Sequence, residues 1–292
     1  MERGLILALI GALCFAVSAI YLRRAVYQTG ESFTGVAISV FTGVPFFTVS
    51  LFFSGGWDKL WSVSGQAFIL LGAAGIMHFV LGRQLSYSCF RLVGANRGGA
   101  ILRTQMFYAA IFGIAFLKEP LTIILVLGIL CIAAGATLVS VKKVNETTEI
   151  HGRGVLAGLG GAFFWGTSGV LIRPAVVEIG SPYAGAFISY VVAAVIIAGL
   201  LFGKGQREQL FQLRRKSLIH LVISGVFVSV AQLFRYVALS YSPVSLVVPI
   251  MGTDVLFIFF LSFLINRNIE VFTWKVFIGI MVAVVGTFLL LQ

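Results

Sequence analysis

Ten uninterrupted apolar stretches, joined by short polar loops, take up most of this 292-residue chain. They fall at about 4–22, 33–53, 66–89, 97–117, 121–141, 154–173, 182–202, 218–239, 244–265 and 272–291. Each is longer than the roughly 18 residues that separate a membrane-spanning helix from a buried core helix. Inside hydrocarbon every backbone N–H and C=O has to find its partner within the protein, so the stretches are read as helices. Composition agrees: 59% of residues are hydrophobic and 11% charged, against about 45–50% and about 25% in an ordinary soluble domain. The chain is therefore expected to be all-α and polytopic, with no soluble domain of useful size on either side. The first stretch is not read as a signal peptide: it is long, no small-residue cleavage motif follows it, and a copy of it lies mid-chain.

That copy is part of a repeat. At an offset of 150 residues Gly4, Ser18, Arg23, Gly30, Gly35 and Ser39 meet Gly154, Ser168, Arg173, Gly180, Gly185 and Ser189. At 151 Glu119, Thr122, Gly128 and Gly135 meet Glu270, Thr273, Gly279 and Gly286, and at 149 Tyr87 meets Tyr236. The units are residues 1–143 and 154–292, with a linker loop at 144–153. Five helices per unit is an odd number, so the second unit enters the membrane from the opposite side. Ten transmembrane helices as two inverted five-helix repeats place any shared site near mid-membrane, which is the plan of many secondary transporters.

Loop charge orients the repeat. Assigning loops alternately puts Arg3, Lys59, Lys118 and Arg173 on the N-terminal side, and the other fourteen Lys and Arg outside the spans on the opposite side. Lys and Arg are enriched in cytoplasmic loops, so both termini are expected to face outward. The net charge of +11 is thus a matter of topology and not a nucleic-acid patch. Cys14, Cys89 and Cys131 show no metal or redox spacing and are read as small buried hydrophobes.

Two five-helix halves, each with an acidic turn before its last span (Lys118-Glu119-Pro120-Leu121-Thr122 and Ile269-Glu270-Val271-Phe272-Thr273), resemble the EamA type of the drug/metabolite transporter superfamily. The segment Phe163-Phe164-Trp165-Gly166-Thr167-Ser168 is similar to that family's opening helix. The resemblance implies a ten-helix secondary transporter of small metabolites, many members being exporters of amino acids or amphipathic compounds. It also implies basic loops on the N-terminal side, from which this chain departs.

Ionisable groups inside a span cost at least ~2.5–3.5 kcal/mol and usually face a cavity or a partner. Asp254 is the one acid inside a span, near the middle of the ninth, five residues after Pro249. It is a candidate for a coupling proton or a substrate ammonium, or a partner for an embedded arginine. Arg83 and Arg103 lie at matching depths in the third and fourth spans, either holding an anion between them or snorkelling to headgroups. Arg235 lies close enough to the N-terminal side for snorkelling to be the plainer reading. It shares a face of the eighth span with Ser229, Gln232 and Tyr236. His78, read as a proton carrier or a hydrogen bond to a neighbouring helix, Trp165 and Ser168, read as cavity wall or packing, and Gln105, read as a further polar contact, complete the candidate substrate site. Aligning the fourth and ninth spans at an offset of 147 sets Arg103 against Ile250 and Phe107 against Asp254.

Scattered histidines at 78, 151 and 220, and no embedded carboxylate pair, argue against an enzyme, and no metal or cofactor is expected. The expected function is alternating-access transport of an amino acid or amphipathic organic anion across the cell membrane, as export, with a proton as the candidate coupling ion. An uncoupled exchanger of phosphorylated or nucleotide-linked metabolites, and a non-transporting sensor or channel, are the alternatives. Partners are the substrate and the bilayer, with no nucleic acid, in a monomer or homodimer.

Overall fold

Along α1 (Glu2–Thr29) most large side chains point outward and the small ones inward. Ile6, Ile10 and Leu13 are 40% exposed or more, while Ala8, Ala12 and Ala16 are fully buried. That is the reverse of a water-soluble helix. Lipid tails are as apolar as leucine, so nothing drives large residues inside, and small ones there let backbones approach closely. The computed structural model describes residues 2–29, 32–93, 98, 101–140, 152–201, 213, 215–265 and 274–291.

The remaining elements are α2 (Ser32–Phe53), α3 (Gly65–Gly75), a π-helical turn (Ile76–Gly82), α4 (Arg83–Val93), α5 (Gln105–Leu117), α6 (Ile123–Ser140) and α7 (Gly152–Ile179). They continue as α8 (Pro182–Leu200), α9 (Arg215–Tyr241), α10 (Val244–Met251), α11 (Asp254–Ile265) and α12 (Trp274–Leu291). Among the described residues six helices are long and apolar enough to cross a membrane and four are shorter apolar ones. Together they fall on the ten apolar stretches of the sequence. α7 begins at Gly152, inside the expected linker, whose residues 144–151 lie outside the described ones. α1 and α7 run past the expected span ends, to Thr29 and Ile179.

Packing follows the repeat. α1 lies along α9, and its copy α7 lies along α3 and α4. α2 pairs with its own copy α8, and α6 with its own copy α12. α5 rests on α7 as α10 and α11 rest on α1. Close approaches repeat too: a Cβ on Gly11 would come 3.3 Å from the Ala231 carbonyl, and one on Gly161 3.3 Å from that of Gly82. Gly128 faces Gly286 and Gly135 faces Gly279, so position rises along α6 as it falls along α12. That pair is antiparallel, and swapping each glycine for its repeat partner leaves the pairing unchanged, which is what a twofold axis between inverted halves requires.

These glycines bring two backbones into contact. An added Cβ on Gly286 would lie 2.8 Å from both the Gly128 oxygen and the Ile132 nitrogen. Neither can move without moving a helix. Gly286→Ala is expected to cost about 1–3 kcal/mol through this overpacking, read as earlier thermal unfolding of the purified protein in detergent.

The ninth span is not continuous. α10 ends at Met251, Gly252 and Thr253 form a turn, and Asp254 opens α11, so Asp254 sits at a helix start and not within a helix. The fourth span breaks in the same way at Arg103 and Thr104, just before α5. In both breaks a threonine hydroxyl donates to the carbonyl three residues back at 2.7 Å, Thr104 to Ile101 and Thr253 to Ile250. Their backbone N–H groups bond the same two carbonyls at 3.1 Å. The matching motif is Ile-x-x-Thr, and it corrects the offset in these spans from 147 to 149. Arg103 then corresponds to Gly252, and Gln105 to Asp254.

Candidate functional site

Between the halves lies a cavity of about 210 Å³. Its polar wall comes from the third and eighth spans, which supply His78, Arg83, Tyr87, Gln232 and Arg235, with Trp165 from α7. The rest of the lining is mostly apolar, with Phe15, Ala19 and Leu22 of α1 beside Ser18, Val248 and Met251 of α10 and Ile258 of α11. The cavity runs from mid-membrane toward the end where α1 and α4 finish, the side of the basic loops.

Near its mouth the two helix breaks meet. Arg103 Nη1 donates to Asp254 Oδ1 at 2.7 Å and to the Gly252 carbonyl at 3.0 Å. A break at membrane depth frees backbone groups that hydrocarbon cannot satisfy. One guanidinium therefore neutralises the acid and occupies a carbonyl of the opposite break. Of the expected roles of Asp254, the structure shows the partner of an embedded arginine: Arg103 and Asp254 are engaged with each other, while Arg103 Nε has no partner among the described residues.

Deeper in, two arginines have no acid. Arg83 Nη1 donates to Ser39 Oγ at 2.5 Å, and its guanidinium lies 5.1 Å from the Phe79 ring centre. Its Nη2 has no partner among the described residues. Arg235 Nη2 donates to Ser168 Oγ at 2.9 Å, and its Nη1 is likewise unpartnered. Both side chains are buried, and among the described residues neither joins an ion pair. His78 lies within electrostatic reach of both.

His78 is fixed on both ring nitrogens. Gln232 Nε2 lies 2.8 Å from its Nε2 and Ser168 Oγ 3.0 Å from its Nδ1. As placed, the amide nitrogen donates, so Nε2 accepts and Nδ1 carries the hydrogen toward Ser168, whose own hydroxyl donates to the Trp165 carbonyl at 2.8 Å. The π-helical turn Ile76–Gly82 holds His78, and Trp165 Nε1 donates to the His78 carbonyl at 3.1 Å. Gly82 is needed for this contact, because a Cβ there would lie 2.5 Å from the indole. π-Helical turns are rare and often mark functional sites.

The other end of the passage is shut. Glu119 accepts hydrogen bonds from the Val244 and Ser245 N–H groups at 2.7 and 2.9 Å and so caps α10. Arg173 Nε lies 3.9 Å from Glu119, and Arg173 donates to the carbonyls of Leu239 and Ser242. Gly4 packs against Ser242 beneath them. The repeat sharpens the contrast between the ends: Tyr87 lines the cavity, whereas its counterpart Tyr236 is fully buried. Glu119→Ala is expected to lose roughly 1–3 kcal/mol for each of the two buried donors it strands, measured by thermal unfolding in detergent. Its sequence counterpart Glu270, and the rest of 269–273, lie outside the described residues.

Of the residues expected at the site, Arg83, Arg103, Asp254, His78, Trp165, Gln232 and Gln105 line the cavity. Ser168 and Tyr236 do not: Ser168 stands behind His78 and Arg235, and Tyr236 is buried toward α8. Arg235 was expected to snorkel, but it is buried and on the cavity wall. Ser39, which holds Arg83, and Glu119, which caps α10, had no assigned role. A shared Ser39/Ser189 position in the repeat and the acidic turn were the signals that pointed to them.

The model of the EamA-like transporter family matches the chain twice, over residues 2–141 and 152–292. No curated protein matches it in sequence. A solved crystal structure is similar in fold, with a TM-score of 0.77 at 14% identity, covering 98% of this chain and 95% of that one. At that identity the likeness concerns the fold alone.

Proposed function

We propose that this multi-pass membrane protein, which belongs to the EamA-like transporter family, carries a small organic anion across the membrane by alternating access. The observation that supports this reading is the pair Arg83 and Arg235, buried on the cavity wall with free N–H donors and no described acid beside them. A buried charge without a partner is costly. An incoming anion relieves that cost and gains charge-assisted hydrogen bonds. The passage open at one end and shut at the other by Glu119 and Arg173 fits one state of a carrier whose halves rock about a central site.

The cavity opens on the side of the basic loops, which by their charge face the cytoplasm. In this state the site is reached from the cytoplasm, where an exporter loads its substrate and an importer releases it. The ion pair of Arg103 with Asp254 at 2.7 Å favours anion exchange over proton coupling, since the one acid on the wall is already engaged.

Uptake into liposomes holding the purified protein tests this reading. With a panel of labelled organic anions, flux is expected when unlabelled anion fills the lumen, and a pH gradient alone is expected to drive none. Uptake driven by the pH gradient alone would overturn exchange. Absence of flux for every anion would overturn the carrier.

A further inference from the structure

We infer that the substrate is amphipathic, with a single anionic head, an apolar body and no ammonium group. This rests on the anion-carrier reading and narrows it. The head is set by Arg83 and Arg235, which share the cavity wall and each keep one nitrogen, Nη2 and Nη1, unpartnered among the described residues. The body is set by the rest of the lining, where Phe15, Ala19, Leu22, Val248, Met251 and Ile258 offer apolar contact area and the one hydroxyl among them, Ser18, is already bonded to Ser224. A second charged group at that end of the ligand would lose its water and gain no partner.

An ammonium is excluded by what the cavity already uses. Asp254 is the one carboxylate on the wall, and Arg103 holds it while also bonding the Gly252 carbonyl. A substrate amine would have to displace a guanidinium that the helix break itself needs. What the wall still offers an ammonium is neutral acceptors, Gln105 and, unpartnered among the described residues, Gln232 Oε1. Gln232 is bonded to His78, which lies within electrostatic reach of both Arg83 and Arg235. Neutral amide oxygens do not offset repulsion from two guanidiniums. Zwitterionic amino acids and simple carboxylates of the same skeleton are therefore discriminated by the site, and the difference comes from repulsion as much as from attraction.

Calorimetric titration of the purified protein in detergent tests this with matched pairs. The ligands are hexanoate against norleucine, 3-phenylpropanoate against phenylalanine, and adipate as the dianion of hexanoate's length. Each monocarboxylate is expected to bind at least tenfold more tightly than its amino acid, and hexanoate more tightly than adipate. Arg235→Gln is expected to weaken both monocarboxylates. Equal or tighter binding of the amino acids, or of adipate, with Arg235→Gln still weakening it, overturns this inference and leaves the anion site standing. Binding of none of the five ligands overturns the anion site and this inference with it.

Discussion

Asp254→Ala unfolds with less stability than the native chain by about 3 kcal/mol, the lower end of the cost of stranding one member of a buried ion pair. The lower end applies because the side chains of Arg103 and Asp254 keep 12% and 20% of their exposure at the cavity mouth. Arg103→Leu alone costs a similar amount, for it leaves the carboxylate and the Gly252 carbonyl without their donor. The double variant Arg103→Leu/Asp254→Leu recovers most of the loss, all but about 1–2 kcal/mol for the carbonyl still stranded. Denaturant unfolding of the four proteins in one detergent closes the double-mutant cycle. Strict additivity of the two single losses would mean that the two residues act independently, contrary to the ion pair.

Arg235→Gln moves binding and stability in opposite directions. Binding of an organic anion weakens roughly 10- to 100-fold, the loss of one or two charge-assisted hydrogen bonds of about 1.5–3 kcal/mol each. The empty protein, by contrast, unfolds at the same temperature or higher, because a buried charge without a counter-ion has been removed. Arg83→Gln behaves alike in binding and in stability, since Ser39 and the Phe79 ring support one guanidinium as Ser168 and the Trp165 carbonyl support the other. A purely structural arginine would show the reverse, lower stability with binding unchanged. Such opposition is expected where function requires an uncomfortable native state.

The fold was legible because it depends on properties that a single sequence carries. Stretch length sets the spans, and an odd helix count inverts the second half. Glycines such as Gly128, Gly135, Gly279 and Gly286 keep their places in both copies because only they admit two backbones so close. The site was legible by depth but not by direction. Depth along a helix gives the cost of burying Arg235, yet whether it turns to headgroups or to a cavity is decided by α7 and the third span, far away in sequence. The same limit applies to Asp254: it could pair with any of three embedded arginines, and only the crossing of two broken helices selects Arg103. The breaks themselves were marked by Ile101-x-x-Thr104 and Ile250-x-x-Thr253, a signal too short to outweigh the matches around it. The π-helical turn that positions His78 left no mark in composition or periodicity.

A carrier site lined by Arg83 and Arg235 behaves differently from a static pocket or an open pore. Counterflow tests the difference most directly. Liposomes bearing the protein are loaded with a high concentration of unlabelled 3-phenylpropanoate and diluted into a trace of the labelled anion. A carrier that alternates accumulates label transiently above its equilibrium level, and Arg235→Gln, folded but unable to hold the anion, is predicted to abolish the overshoot. Label that only equilibrates without overshoot, or an overshoot undiminished in Arg235→Gln, would contradict the account.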